Sequence, residues 1–138
     1  MMKKTITLLL IITLLGALLI PTGLTKTELV QTTGPTLEFG RIEGGLMGFA
    51  VEFNNTGDTN LTNLTWKTTM TGGLILFNQE ANGTINNITY NSSAVATVVP
   101  IIGLGRTEIQ IRADADDVAP ITTTKQARVF FIFVLIDE

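Results

Sequence analysis

Six Asn-x-Ser/Thr triplets, headed by Asn54, Asn60, Asn63, Asn82, Asn87 and Asn91, are the residues of this chain best suited to chemistry, and the chemistry is done to them. Their amides accept N-linked glycan when a chain crosses a membrane. Chance would supply about one or two such triplets at this Asn and Thr content, so six is an excess. Asn also forms turns and Thr forms strands, which gives a Thr-rich β protein a second route to the same triplets. Catalytic chemistry has far less to build on. Cys and His are both absent, which removes disulfides, thiol nucleophiles, imidazole bases and the common zinc, copper and haem ligand sets. Asp114, Asp116 and Asp117 put three carboxylates in four residues. They could hold Ca²⁺ if backbone carbonyls joined them, but the EF-hand spacing and its bidentate Glu are missing, and a solvated acidic loop accounts for them. Ser92 and Ser93 have no His and no Lys partner in a motif, which leaves acyl transfer without a base. Gly103-x-Gly105 is too short for a phosphate loop and precedes a strand. The chain is expected to be no enzyme and to carry no cofactor, with Ca²⁺ the sole candidate.

The N-terminus supplies the compartment that the triplets need. Lys3 and Lys4 precede Thr5 to Ile20, a run broken only by Thr5, Thr7, Thr13 and Gly16, and Pro21 ends it. A short basic region before about 16 apolar residues is the pattern of a secretory signal, slightly long for a signal core and slightly short for a membrane span. Residues 1–25 are therefore expected to be a signal peptide cleaved before Lys26, after the small pair Gly23 and Thr25, with retention as an anchor over residues 3–24 as the alternative. In either case the basic end stays inside and the remainder emerges at the cell surface or beyond. No Cys follows the segment, which excludes a lipoprotein anchor. The net charge of −3 becomes −5 once Lys3 and Lys4 are removed. That balance argues against nucleic acid or an anionic membrane as a partner of the exported part.

The elements behind these residues read as strands. Residues 26–36 are Thr-rich and poor in core side chains, an extended linker, and residues 37–138 form one domain, since 45% apolar content suffices for a single core. Met47, Phe49, Val51 and Phe53 share one parity, the mark of a strand with one buried face. Asn54-Asn55-Thr56-Gly57-Asp58 turns the chain, with Gly57 able to take positive φ, into a second strand whose inward set is Leu64, Trp66, Thr68 and Met70. The two predict a hairpin. Trp66 could stack on a sugar ring, but its parity assigns it to the core. Gly72-Gly73 and Asn82-Gly83 read as further turns, Asn86 to Ser93 as a polar loop, and Ala94 to Val99 as a strand stopped by Pro100. Ile109, Ile111 and Ala113 alternate with Glu108, Gln110 and Arg112, the cleanest half-buried strand. Asp114 to Pro120 reads as an acidic loop and Ala127 to Ile136 as one long strand. The expected fold is an all-β, immunoglobulin-like antiparallel β-sandwich of about seven strands behind an N-terminal hydrophobic helix, with a small barrel as the second choice.

The order of several motifs carries a family likeness: Gly44-Gly45-Leu46 through Asn54-Asn55-Thr56-Gly57-Asp58, then Leu61 to Trp66, Gly72-Gly73-Leu74-Ile75, Gly83-Thr84-Ile85 and Gly103 to Ile109. Over residues 37 to 136 the chain resembles the CARDB-like, immunoglobulin-like modules of prokaryotic cell-surface and secreted proteins. The resemblance implies adhesion or extracellular structure and transfers no catalytic residue. One stretch goes beyond it. Val129 to Ile136 is apolar on both parities, so a core would explain one face and leave Phe130, Ile132, Val134 and Ile136 in need of a cover. A loop or the N-terminal segment could supply it. Otherwise they form a contact face for other cell-surface proteins, for self-association or for the membrane interface. The expectation is an exported, N-glycosylated surface module, followed by a filament or lattice subunit assembled through strand pairing and by a carbohydrate-binding module.

Overall fold

The computed structural model describes residues 33–138, so the expected N-terminal helix and most of the 26–36 linker lie outside the described residues. Nine strands follow: β1 (Leu37–Gly45), β2 (Gly48–Asn55), β3 (Leu61–Thr71), β4 (Leu74–Phe77), β5 (Glu80–Ile88), β6 (Ser92–Val98), β7 (Ile102–Ala115), β8 (Val118–Phe131) and β9 (Phe133–Ile136). They form two antiparallel sheets, one in the order β1-β2-β6 and one in the order β5-β3-β7-β8-β9 with β4 also beside β7. The all-β architecture with two sheets agrees with the sequence reading; the strand number is nine rather than about seven.

Alternation does what its period requires. Phe49, Val51 and Phe53 of β2 face Leu64, Met70, Ile109, Ile111 and Ala113 of the other sheet in one core, and all are buried. Trp66 packs against that core from its margin. Met47 departs from its expected set: it sits exposed at the β1–β2 turn with φ 66°, outside the strand that carries Phe49. The expected β2–β3 hairpin does not form either. β2 and β3 lie in different sheets and turn their buried faces, Phe49, Val51 and Phe53 on one and Leu64, Thr68 and Met70 on the other, into the same core, so the chain arches from one sheet to the other instead of pairing.

Asn55 explains how that arch is held. It is 1% exposed. Its Nδ2 donates to the carbonyls of Thr59 (2.8 Å), Ile88 (3.0 Å) and Thr89 (3.3 Å), while its Oδ1 accepts from the N–H of Gly57 (3.1 Å) and Thr36 (3.3 Å). One side chain thus ties the start of β1 to two separate turns. The end of the linker is pinned to the same arch, since Thr56 and Asp58 donate N–H groups to the carbonyls of Thr36 and Gly34. Gly57 is absent from the positive-φ positions; what it provides is space, because a Cβ there would strike the Gly34 carbonyl.

Other turn signals mark different devices. Gly72 and Gly73, at φ 83° and 63°, interrupt a strand that continues along β7, so they form a kink and not a hairpin. Phe77 pairs with Ile102, yet the Gln79 carbonyl accepts from Met70, which lies opposite Ile109. Ile102 and Ile109 would stand about 23 Å apart on a straight strand, whereas two residues reach only about 7 Å. The start of β7 and β4 must therefore curl over the end of the sandwich, bending at Gly72-Gly73 and at Gly105, whose φ is 111°. Asn82-Gly83 lies inside β5, where Gly83 faces Trp66 and a Cβ would come within 2.7 Å of the indole. The expected polar loop shrinks to Thr89–Asn91, and the acidic loop to the two-residue turn Asp116–Asp117 of the β7–β8 hairpin, with Asp117 at φ 60°. The final apolar run is two strands, β8 and β9, folded back at Phe131–Ile132 so that Phe130 stands opposite Phe133.

Candidate interaction surface

The two ends of the sandwich differ in chemistry. One end holds the 56–60 arch, the 89–91 turn and the 116–117 turn, and five of the six asparagines that head the triplets cluster there: Asn54, Asn60, Asn63, Asn87 and Asn91. Asn82 lies midway along β5, opposite Lys67. Asn60, Asn63, Asn82, Asn87 and Asn91 are exposed and Asn54 is half-buried. Two of them also shape the turns. The Asn60 Oδ1 accepts from the Tyr90 N–H (3.2 Å), and the Asn63 Nδ2 donates to the Asp116 carboxylate (2.5 Å).

That second bond bears on the acidic triplet. Asp116 also accepts from the Thr62 hydroxyl (3.2 Å), Asp114 lies on β7 within 4.0 Å of Arg112, and Asp117 occupies the tip of the turn. The three carboxylates do not converge, and among the described residues no group of three or more His, Cys, Asp or Glu side chains is arranged to hold a metal ion. Ser92, the other candidate for chemistry, closes the β5–β6 turn: its Oγ lies 2.7 Å from both the hydroxyl and the carbonyl oxygen of Thr89. Glu52 has its titration displaced by the contacts around it. A bulge in β1 between Phe39 and Ile42 leaves the Arg41 N–H without a ladder partner, and Glu52 accepts it at 3.0 Å. That bond, with help from the Ser93 hydroxyl and the Arg41 guanidinium, holds its pKa below the ordinary glutamate range.

The opposite end carries an apolar row. Leu74 of β4 stands opposite Leu104 of β7, Leu104 opposite Phe130 of β8, Phe130 opposite Phe133 of β9, and Phe133 opposite Leu46 through an isolated bridge. Residues directly opposite share a face of the sheet with Cβ atoms about 5 Å apart. All five side chains are exposed, between 50% and 63%. Phe131 is also exposed and adjoins the row, its ring meeting that of Phe130 edge to face at 5.0 Å; Leu76 and Phe77 are exposed on the same short strand as Leu74. The Met47 N–H donates to the Ile132 carbonyl (2.5 Å), fixing the β1–β2 turn against the β8–β9 hairpin.

The expected contact face is therefore redrawn. Phe130 belongs to it, Ile132 is half-buried in the turn, Ile136 is half-buried, and Val134 is fully buried in the core. The chain reverses between Phe130 and Phe133, which changes the parity that a single strand would have kept. Sequence reasoning did not find Leu46, Leu74, Leu104 or Phe133, because the row takes one residue from each of five separate segments. The short run Leu74 to Phe77, apolar on both parities, was the available signal. A scan against protein-family models, a search of curated proteins and a search of solved structures each return no match for the chain.

Proposed function

We propose that this chain is an exported, N-glycosylated cell-surface module with an adhesive or envelope-structural role and no catalysis, its sandwich being of the CARDB-like, immunoglobulin-like kind. The observation that carries the reading is the segregation of the two ends. Five acceptor triplets gather at one pole, where sugar would stand in water, and none lies within the apolar row at the other. Such an arrangement leaves one pole free for contact while glycan covers the other. Location follows from the basic and apolar N-terminal segment, which delivers the domain to the outer side of the membrane.

A second reading, a subunit of an extracellular filament or lattice, is favoured by the exposed row itself. Intact mass of the native protein, taken from separated membrane and culture-supernatant fractions, tests the proposal. The expected mass is that of a chain begun near Lys26 carrying added hexose units, and Asn60→Gln lowers it by one glycan. An unmodified mass in both fractions would overturn the glycosylation reading, and a chain confined to the cytoplasm would overturn export.

A further inference from the structure

We infer that the row Leu74-Leu104-Phe130-Phe133-Leu46 is the contact between two copies of this chain, joined face to face about a two-fold axis. The inference names a partner for the surface module proposed above and rests on that reading only for the compartment in which the pair forms.

Size is the first argument. Each of the five half-exposed side chains presents on the order of 100 Å². The row then offers roughly 500 Å² per copy, and roughly 1,000 Å² when it meets its own image, which is where specific interfaces begin. Phe131, also exposed and in contact with Phe130, enlarges the row. An exposed apolar patch of that extent is at the upper end for a monomer.

Shape and charge favour the chain's own copy as occupant. A sheet row with one side chain per strand is a regular comb at about 4.8 Å spacing, and a comb interdigitates with an equal comb turned through a half rotation. Phe130, at the centre of the row, meets its own image. Residues 44–48, 72–78, 99–105 and 129–136, which build this end, contain no charged side chain. Two copies of a net acidic chain can therefore join here without opposing like charges. Behind the row Arg106 stands opposite Arg128, whose guanidinium lies 3.8 Å from the Asp137 carboxylate. A mixed rim around an apolar centre is the anatomy of a protein interface. A lipid surface would draw more strongly on a basic rim.

The absence of cysteine makes the test clean. Single substitutions Phe130→Cys and Leu104→Cys in the full chain, with Thr122→Cys on the exposed face of β8 as control, are oxidised in whichever cell fraction holds the protein. All three positions are exposed, so folding is expected to survive. The expected result is a disulfide-linked species of twice the chain mass for Phe130→Cys, at least several-fold above the control, and its return to the control level when Phe133→Glu is added. Monomer at both Phe130→Cys and Leu104→Cys, with both thiols open to a water-soluble maleimide, would overturn the inference. Thiols shielded from maleimide only while lipid is present, without cross-linking, would overturn it in favour of a membrane surface. Export and glycosylation are read separately from intact mass, so failure of the pairing and failure of the surface reading leave different records.

Discussion

Replacing Asn55 by Ala should cost about 3 kcal/mol of folding stability, although the residue touches no part of the proposed contact surface. The figure follows from its bonds. Three of the five contacts are at 3.1 Å or less: to the Thr59 carbonyl, the Ile88 carbonyl and the Gly57 N–H. Each is worth about 1 kcal/mol net. Water can re-solvate the arch side of the site, which lowers the sum, while the bond to Ile88 is buried, which raises it because the carbonyl is left without a partner. For a domain of about this size, a loss of about 3 kcal/mol lowers the melting temperature by roughly 12 to 24 °C. Thermal and denaturant unfolding, followed by the fluorescence of the single Trp66, measures it. The Asn54 triplet keeps its Thr56 in this variant, so glycosylation at Asn54 is not the cause of any change. Asn55→Asp sharpens the test, since it retains the acceptor and turns an anionic oxygen toward three carbonyls. That carboxyl should have a raised pKa, so the variant gains stability as pH falls from neutral toward its unfolded-state value of about 3.9. A cost for Asn55→Ala below about 1 kcal/mol would refute the idea that one buried amide holds the arch.

Three further outcomes follow from the same geometry. Val134→Ala should cost about 2 kcal/mol by leaving a cavity in the core, whereas Phe130→Ser, four residues earlier in the same apolar run, should change monomer stability by less than about 0.5 kcal/mol; denaturant midpoints compare them. Gly57→Ala should displace Gly34–Thr36 from the arch and destabilise by about 1 to 3 kcal/mol, and hydrogen exchange should report faster loss of the Thr56 and Asp58 amides. Glu52 should titrate below the ordinary glutamate value in a carbon-detected NMR titration. Because its folded pKa is depressed, the stabilisation from the Arg41 bond is full above the unfolded pKa of about 4.3 and is lost as pH falls through the folded value; a Glu52 midpoint at or above that unfolded value would remove the bulge-capping role.

The parts of this fold legible from sequence are those in which period alone decides. Ile109, Ile111 and Ala113 against Glu108, Gln110 and Arg112 leave one strand orientation open, and Phe49, Val51 and Phe53 do the same. Parity says which face is buried but not what covers it, so β2 and β3, each well read, were joined as a hairpin when they belong to opposite sheets. Glycine was ambiguous for a related reason. It permits positive φ at Gly72-Gly73 and makes room for an indole at Gly83, and both uses resemble a turn in sequence. The reversal at Phe131–Ile132 carried no turn chemistry at all: a phenylalanine takes φ 56° because the Ile132 carbonyl and the Leu46–Phe133 bridge bind the hairpin to the β1–β2 turn. Strand-internal patterns are local, whereas the apolar row is a property of register among five segments.

The pinning of Gly34 and Thr36 to the Asn55 arch also fixes how the domain would bear force. The described chain enters the domain at the pole that gathers the Asn triplets, and the apolar row lies at the far pole. Were the N-terminal segment retained as an anchor, the alternative to cleavage, tension between it and a partner held at Phe130 would run along β1 and its neighbours. Ladder hydrogen bonds lie across antiparallel strands, so such a load shears β1 against β2 and strains many bonds together, where a pull across the sheet would open them one after another. A small sandwich without a single disulfide would then draw its resistance from the direction in which it is pulled.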